Sequence, residues 1–316
     1  MTPAPLVSVV IPAYNAASFI EQTLDSVRAQ RDTAYEVIVV DDGSSDGTFD
    51  VATRYVERTG MPGRVLRQPN GGIAAARNAG LRAARGAYIA LLDHDDLWYP
   101  DKLRVVMREF ERRPDVDLIC SNEHIIADGR ILRATRTGPA ARRMYERLLF
   151  RGNVLCASTT VFRTDKALAI GGFRERPEFN TVEDYDFWMR FSQAARLHFI
   201  PDVLGAYQVR AGGASRRVVY HHTNLEHLLR DHFAAYFGDR PGRLARLRIR
   251  RRLSTVYRSA VGQLMACQED PEQQRAYIAR MLKAYPVGWR NVLRALLWRL
   301  RAPHPRPASP PTEAVG

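Results

Sequence analysis

Cysteine is scarce in this chain of 316 residues, which carries three: Cys120, Cys156 and Cys267. They are widely spaced and form no CxxC pair, so the sequence predicts no disulfide framework. Long apolar runs are also missing, because no segment reaches the roughly 18 uninterrupted apolar residues of a membrane span. The first six residues lack the positive cluster and apolar run of a secretory signal. These absences favour a protein of the cytoplasm, which is a reducing compartment.

Acidic residues are scarce toward the C-terminus. Residues 221–316 contain 17 Lys and Arg but 7 Asp and Glu, so they carry a net charge of +10 out of +13 for the whole chain. Such asymmetry indicates an anionic partner, either nucleic acid or an anionic membrane surface. No nucleic-acid-binding module accompanies the charge, so the sequence does not favour nucleic acid.

The first 120 residues alternate between short apolar runs and helical patterns. The apolar runs are rich in Val, Ile and Leu on both faces, as in buried parallel strands. The sequence therefore predicts an α/β fold with a doubly wound sheet and helices on both faces. The predicted strands are Val7–Pro12, Glu36–Val40, Arg64–Arg67, Tyr88–Leu92 and Val116–Cys120. The predicted helices are Ala17–Gln30, Thr48–Thr59, Gly72–Ala84 and Pro100–Arg112, with Pro100 in the first turn.

Beyond residue 120 the pattern is mixed and then almost entirely helical. Strands are predicted at Cys156–Phe162 and His198–Ile200, with a helix at Tyr185–Arg196 between them. The helices predicted after residue 221 are Leu225–Phe237, Arg243–Gln268, Gln273–Lys283 and Val287–Arg301.

Polar residues follow each of the first four predicted strands, at the strand ends where such sheets bind ligands. After the fourth strand comes the sequence Asp93-His94-Asp95-Asp96. Carboxylates offset by two residues can both reach a divalent ion, which prefers oxygen ligands. The same residues also fit a solvated acidic loop with a helix-capping Asp. Their position directly after a buried strand makes a metal site a good functional candidate.

Two further strand ends allow both a functional and a structural interpretation. Asp41 and Asp42 open a run of small polar residues that is typical of tight turns. One of their carboxylates could instead accept a hydrogen bond from a base N–H or a ribose hydroxyl. The glycine-rich segment after Asn70 opens a helix of small residues, on which Arg77 could face a diphosphate. This segment has neither a Walker lysine nor the GxGxxG spacing.

Acidic residues also concentrate at the start of the helix predicted near residue 185. Glu183, Asp184 and Asp186 complement the helix dipole there, which is a purely structural interpretation. The functional interpretation makes one of them a general base that removes a proton from an acceptor hydroxyl. From these residues alone the two interpretations are evenly balanced.

Taken in order, these segments resemble glycosyltransferase family 2, whose members have the GT-A fold. The similarity covers about residues 6–215. The matching segments are Val7–Asn15, Val39–Thr48, Asn70–Asn78, Leu91–Asp96, Gly171-Gly172-Phe173 and Glu183-Asp184. The resemblance implies a Rossmann-like mixed sheet flanked by helices, here with a C-terminal helical extension. It also implies an inverting transfer of a sugar from a nucleotide-diphosphate sugar.

The resemblance implies roles for individual residues. Tyr14 would lie near the base, and Arg77 near the diphosphate or the sugar. Asp95, with Asp93, would bind Mn²⁺ or Mg²⁺, and Asp184, with Glu183 beside it, would be the catalytic base. The expected nucleotide-sugar site is Pro12, Tyr14, Asn15, Asp41, Asp42, Gly72, Arg77, Asp93 and His94. The expected acceptor side includes Asp96 and Trp188.

The chain departs from the family near the end of the similar region. Many members carry a His after a Tyr-Arg pair, whereas this chain has Tyr207-Gln208-Val209-Arg210. We therefore transfer no metal role to this stretch, and Arg210 or Ser215 is the expected diphosphate contact instead.

The C-terminal part combines arginines with apolar residues at helical spacing. Six arginines lie between residues 243 and 252. Further along, Trp289, Leu293, Leu296, Leu297 and Leu300 mix with Arg290, Arg294, Arg299 and Arg301. This pattern resembles an interfacial helix on an anionic membrane. Packing of the same helix on the catalytic domain is an equal alternative. We expect a catalytic domain over 1–220, a basic helical region over 221–301 and a disordered tail over 302–316.

The leading hypothesis is an inverting, metal-dependent glycosyltransferase. It would use a nucleotide-diphosphate sugar, with UDP favoured, and a lipid-linked or cell-surface glycan precursor at the inner face of the membrane. A nucleotide-sugar nucleotidyltransferase would need a glycine-rich loop with Arg and Lys after the first strand, where this chain has Pro12-Ala13-Tyr14-Asn15. A non-catalytic relative that binds nucleotide or glycan is disfavoured by the joint presence of Asp93, Asp95 and Asp184.

Overall fold

The computed structural model describes residues 6–209, 217–267 and 271–301. The chain divides into two compact units, Met1–Gly238 and Asp239–Gly316. The boundary expected at residue 220 falls inside a helix, Val218–Phe237, that belongs to the first unit. Arg210, Ser215 and the tail expected over 302–316 lie outside the described residues.

A mixed β-sheet forms the centre of the first unit. Its described strands are β1 (Val7–Ala13), β2 (Tyr35–Asp41), β3 (Gly63–Arg67), β4 (Tyr88–Leu91), β5 (Leu97–Trp98), β6 (Leu118–Ala127), β7 (Arg130–Ala134), β8 (Thr160–Arg163) and β9 (Leu197–Gln208). Their order across the sheet is β3-β2-β1-β4-β8-β6-β9-β5, and β7 pairs with β6. β1 pairs in parallel with β2 and β4, whereas β8 runs antiparallel to β4 and β6. The predicted parallel arrangement therefore ends at β4, and the sheet beyond it is mixed.

Helices accompany the sheet on both faces. Those of the first unit are α1 (Ile20–Arg28), α2 (Thr48–Thr59), α3 (Ile73–Ala83), α4 (Lys102–Arg112), α5 (Met144–Arg151), α6 (Thr164–Ala169), α7 (Glu183–Ala194) and α8 (Val218–Phe237). Because helices cover both faces, every residue of β1 is buried. The expectation that Pro100 lies in the first turn of α4 was wrong. The helix begins at Lys102, after a turn closed by a hydrogen bond from the Lys102 amide to the Tyr99 carbonyl.

One face of α7 builds an aromatic core. Phe187, Trp188 and Phe191 pack around Phe162 of β8, with ring centroids 5.3 to 5.9 Å apart. Phe173 stacks on Phe187 at 4.2 Å. Replacing one such buried aromatic ring by alanine costs about 3–5 kcal/mol. The cluster therefore fixes the axis of α7, and with it the acidic residues at the N-terminus of that helix.

The second unit is helical, with α9 (Arg243–Ala266), α10 (Pro271–Ala284) and α11 (Trp289–Arg301). Arg250 of α9 donates hydrogen bonds to the carbonyl oxygens of Lys283 and Ala284, at 2.9 and 3.0 Å, at the C-terminus of α10. These carbonyls have no partner within their helix, so the guanidinium caps it. Over the part of the chain that the structure describes, no helix is both long and apolar enough to cross a bilayer.

Candidate active site

One carboxylate at the end of β2 holds the glycine-rich loop that precedes α3. Asp42 Oδ1 accepts hydrogen bonds from Gln68 Nε2 (2.8 Å) and the Gly71 amide (2.9 Å). Its Oδ2 accepts the amide of Gly72 at 2.8 Å. Gly43 permits this close approach, because its φ is +73° and a Cβ there would lie 2.8 Å from a backbone nitrogen of the loop. The loop is thereby fixed at the N-terminus of α3, an end that attracts anions.

Both aspartates expected to contact the nucleoside are buried. Asp41 Oδ1 accepts the amide of Ser44 at 3.3 Å, and Arg67 Nε lies 3.3 Å from its Oδ2. Asp42 is occupied by the loop described above. In the structure the two side chains shape the surrounding loops, and a direct contact of either one with a nucleoside stays a prediction.

The segment after β1 carries an exposed aromatic ring. Tyr14 is 48% exposed, so a face of its ring is available for stacking. Asn15 Oδ1 accepts the amide of Ser45 at 3.0 Å, which joins this segment to the turn after β2. His94 Nδ1 lies 3.1 Å from the Pro12 carbonyl oxygen and donates to it. Pro12, Tyr14, Asn15 and His94, which were predicted as one group, are therefore brought together at the same edge of the sheet.

Arg77 connects two motifs that are far apart in the sequence. Its Nη2 donates to Asp93 Oδ1 at 2.8 Å, and its Nη1 donates to Glu183 Oε1 at 2.7 Å. The side chain is buried, and its guanidinium lies 5.5 Å from the centroid of the Phe173 ring. Burial by itself would lower the pKa of Arg77, but the carboxylates of Asp93 and Glu183 outweigh it and hold the pKa above its usual value. Arg77 is therefore a permanent cation between the two carboxylates.

The residue after Arg77 ties the same helix to a third motif. Asn78 Oδ1 accepts the amide of Phe173 and its Nδ2 donates to the Phe173 carbonyl, both at 2.8 Å. Its Nδ2 also donates to Glu175 Oε1 at 2.7 Å. A Cβ at Gly172 would lie 2.5 Å from Asn78 Oδ1, and φ there is +68°. A glycine at position 172 is thus required by contact with α3.

The two acidic residues that begin α7 differ in their surroundings. Glu183 is buried, and its second oxygen, Oε2, has no hydrogen-bond partner in the described structure. Burial raises the pKa of Glu183 to about 7, although Arg77 opposes the shift. Asp184 is partly exposed. Burial also raises the pKa of Asp184, again opposed by Arg77. Glu183 is therefore the partner of Arg77, and Asp184 is the accessible carboxylate of the pair.

The acidic loop after β4 is anchored by its last member. Asp96 is buried, and its carboxylate accepts hydrogen bonds from Ser158 Oγ (2.6 Å) and the Gln208 amide (3.3 Å). Burial, with the nearby charge of Asp93, raises the pKa of Asp96 well above its usual value. Asp93 and Asp95 are partly exposed. Asp96 therefore positions the loop, and Asp93 and Asp95 are the carboxylates that a ligand can reach.

The donor set fits a divalent cation that also binds substrate. Among the described residues, no group of three or more His, Cys, Asp and Glu side chains is arranged to hold a metal ion. Mg²⁺, however, is usually held by one or two carboxylates together with substrate phosphates. Asp95 and Asp93 supply two hard oxygen donors of that kind.

A pocket of about 310 Å³ opens between the glycine-rich loop and the segment that precedes α7. Glu183, whose Oε2 lacks a hydrogen-bond partner, is one of its walls. The lining residues are Asn70, Gly71, Gly72, Ile73, Ala74, Glu175, Arg176, Pro177, Asn180 and Glu183.

The two residues expected on the acceptor side lie in the interior. Trp188 belongs to the aromatic core of α7 and has no exposed surface. Asp96 is turned toward Ser158 and the β9 backbone. An apolar ring on the buried face of a helix packs rather than binds. We therefore assign neither side chain to an acceptor surface.

A buried lysine and glutamate near the acidic loop were missed by the sequence analysis. Lys102 Nζ donates to Ser121 Oγ at 3.4 Å and lies 5.1 Å from the centroid of the Trp98 ring. Burial lowers the pKa of Lys102 to about 8, and burial raises the pKa of Glu123 to about 7. One signal in the sequence was available: Lys102 falls on the apolar face of α4 with Leu103. A lysine is rarely buried on such a face unless its charge has a partner.

The fold matches that of solved GT-A glycosyltransferases. S. aureus TarS in complex with UDP-GlcNAc superimposes with a TM-score of 0.66 at 21% identity, over 94% of this chain and 87% of TarS. The mannosyltransferase PcManGT from Pyrobaculum calidifontis, in complex with GDP-Man and Mn²⁺, gives a TM-score of 0.59 at 22% identity, over 95% of this chain and 81% of that protein. At this level of identity the likeness concerns the fold.

Sequence comparison identifies the family. Residues 8–170 match the model of glycosyl transferase family 2, and the chain belongs to that family. The protein y4gI of Sinorhizobium fredii is 34% identical over 216 residues, which are 67% of this chain and 23% of y4gI. The glycosyltransferase RP339 of Rickettsia prowazekii is 30% identical over 220 residues, 66% of this chain and 65% of RP339. The chain therefore spans less than two thirds of the length of each of these relatives.

Proposed function

We propose that the chain is an inverting, metal-dependent glycosyltransferase that moves a sugar from a nucleotide-diphosphate sugar to a hydroxyl group of a glycan or lipid-linked acceptor. The observation that carries the proposal is the Arg77 bridge. It joins Asp93, on the loop expected to bind the donor, to Glu183, which lies beside the expected base Asp184. Donor and acceptor chemistry would meet within this one hydrogen-bonded unit.

In the proposed mechanism Asp184 accepts the proton of the acceptor hydroxyl. The hydroxyl oxygen then attacks the anomeric carbon, while the bond from that carbon to the diphosphate oxygen breaks. One displacement of this kind inverts the anomeric configuration. Asp184 is suited to the role because it is partly exposed and because burial raises its pKa, which makes it a stronger base than an ordinary carboxylate.

The proposed donor site lies between the Tyr14 ring and the acidic loop. Tyr14 would stack on the base, with UDP the favoured nucleotide. Asp95 and Asp93 would hold Mn²⁺ or Mg²⁺, and such an ion offsets the negative charge that builds on a leaving diphosphate. The solved complexes of similar fold contain UDP-GlcNAc in one case and GDP-Man with Mn²⁺ in another, which supports a nucleotide-sugar donor.

The acceptor is proposed to be a growing glycan or its lipid-linked precursor. A chondroitin synthase of Pasteurella multocida is 33% identical over 196 residues, 61% of this chain and 19% of that protein, and supports a polysaccharide product. The predicted catalytic region, residues 1–220, contains every residue of the proposed site. The basic region after it is proposed to hold the enzyme peripherally on the cytoplasmic face of the cell membrane.

A donor panel tests this proposal. Release of nucleoside diphosphate is measured for several nucleotide-sugars, with and without Mn²⁺, in the presence of membrane lipid extract as a source of acceptor. We expect metal-dependent release from one donor, abolished by Asp95→Ala and lowered by about 10²–10⁴ in Asp184→Asn. Asp202→Asn, an exposed residue of β9, is the matched control and should be fully active. Nucleotide binding without turnover of any donor would overturn the proposal in favour of a binding protein.

A further inference from the structure

The final helix of the described chain, α11, has an unusual charge composition. Residues 289–301 contain four Arg and no Asp or Glu. Arg290 lies in the first turn of α11, which holds no acidic residue. A cation at that end opposes the helix dipole instead of complementing it. The charge of Arg290 is therefore offset neither by the helix dipole nor by an acidic residue of α11.

Polar contacts fix the inner face of α11 against the rest of the second unit. Asn291 is buried, and its Nδ2 donates to the Tyr285 carbonyl at 2.9 Å while its Oδ1 accepts from Arg258 Nη1 at 3.1 Å. Trp298 Nε1 donates to Gln274 Oε1 at 2.7 Å. These directional bonds set the rotation of α11 about its axis, and so decide which side chains point outward.

The outward face of α11 is an apolar stripe formed by Trp289, Val292, Leu293 and Leu296. The four side chains are between 43% and 68% exposed. Their spacing is i, i+3, i+4 and i+7, which places them within an arc of about 100° on the helix surface. The guanidinium of Arg290 lies 5.1 Å from the centroid of the Trp289 ring, at the edge of the stripe. An apolar face is normally turned inward, so its exposure here calls for an external apolar partner.

We infer that the apolar stripe of α11 inserts into the headgroup region of an anionic phospholipid bilayer, with Arg290 at the edge of the stripe on the lipid phosphates. This inference rests on the proposed peripheral attachment to the membrane, and it names the surface that makes the attachment. An interfacial helix needs this combination of an apolar face and neighbouring cations. Each basic residue near an anionic surface adds to the attraction.

Charge favours a bilayer over a second copy of the chain. A twofold contact would place the same surface patch on both subunits. Two α11 helices facing each other would then bring their arginines together with no acidic residue between them. An anionic bilayer offers an apolar interior for the stripe and negative charge for the arginines, whereas a second α11 offers no negative charge.

Flotation of the full chain with phosphatidylcholine vesicles, with and without phosphatidylglycerol, tests the inference. We expect binding to the anionic vesicles that weakens as salt is added. Trp289→Ser/Leu293→Ser should reduce this binding by at least about tenfold, because it removes two apolar side chains from the bilayer. Ile131→Ser/Leu132→Ser is the matched control, since these β7 residues are 58% and 62% exposed, and it should bind as the wild type does.

A second measurement locates the stripe in the bilayer. Brominated phosphatidylglycerol should quench tryptophan fluorescence of the wild type, and the quenching should fall in Trp289→Phe while flotation is retained. Equal flotation of the stripe variant and the wild type would overturn the inference. So would a dimer in light scattering that dissociates in the stripe variant. Donor turnover with detergent-solubilised membrane lipid extract as acceptor source, and without vesicles, is followed in parallel. Its absence for every donor contradicts the proposed function alone, and loss of vesicle binding contradicts the stripe alone.

Discussion

The Arg77 guanidinium binds two carboxylates that lie 90 residues apart in the sequence, Asp93 on the acidic loop and Glu183 at the start of α7. Because Arg77 and Glu183 are both buried, neither can be rehydrated when the other is removed. A buried ion pair of this kind is a weak source of stability but a strong constraint on geometry, since either charge alone is costly. Arg77 therefore matters for stability as well as for the proposed chemistry.

Arg77→Gln should lower the free energy of unfolding by about 3–5 kcal/mol, because it leaves a buried carboxylate without its cation. Arg77→Lys should lower the free energy of unfolding by less, because lysine keeps the positive charge, although it can reach only one of the two carboxylates. Both are measured by urea denaturation. The double variant Arg77→Gln/Glu183→Gln should recover part of the loss. A cost for the double variant equal to the sum of the two single costs would rule out a direct energetic coupling.

Glu123 should make stability depend on pH. Its pKa is about 7 in the folded protein, raised by burial from an ordinary value of 4.5. The folded state therefore binds more protons, and the stabilisation is complete below about pH 4.5 and is lost as the pH rises through 7. Between pH 5 and pH 7 the free energy of unfolding of the wild type should fall relative to that of Glu123→Gln. The scale is about 1.4 kcal/mol per unit of pKa difference.

Parallel denaturation curves of the wild type and Glu123→Gln across this pH range make the comparison. Groups that titrate in both proteins, such as Glu183, cancel in the difference. A constant difference at all pH values would show that Glu123 has an ordinary pKa. Lys102 stays charged in this range, since its lowered pKa is about 8.

At the level of elements, the glycine-rich loop depends on β2 for its shape. Asp42→Ala removes the acceptor of the Gly71 and Gly72 amides. Those amides should exchange hydrogen faster. The affinity for nucleotide should fall, because the loop is no longer held in a single conformation. Hydrogen–deuterium exchange of the peptide that contains the loop is the measurement. Asp46→Ala, in the adjacent turn, should leave the exchange of that loop unchanged.

Helices and parallel strands were predictable because their signals are local. The bounds of α2 are those predicted, Thr48–Thr59, since an amphipathic period is followed by an αL glycine at Gly60. β5 has two residues and β7 lies exposed on both faces, so neither shows a hydrophobic period. β8 was predicted too early, because residues 157–159 form a turn of 3₁₀ helix before it. Elements without a period of their own depend on partners elsewhere in the chain.

Across the whole molecule, the parallel half of the sheet could be predicted and the mixed half could not. Pairings such as β6 with β9 join residues about 80 positions apart, and no local pattern encodes them. The same limit applies to the site. Sequence motifs predicted Asp93, Asp95 and Asp184 as site residues. Ser158 and Glu123 belong to no motif, and only the fold brings them near the acidic loop.

The Arg77 bridge also bears on how such enzymes can diversify. The chain between residues 93 and 183 contains the acidic loop and strands β5 to β8, and its two ends are held by the same side chain. If two related genes recombine with one crossover inside this interval, the hybrid takes Arg77 and Asp93 from one parent and Glu183 from the other. Such hybrids should fold poorly unless both parents place their carboxylates alike. Exchange of the whole interval from before Arg77 to after Asp184 keeps the bridge intact, so new specificities would be inherited as one block.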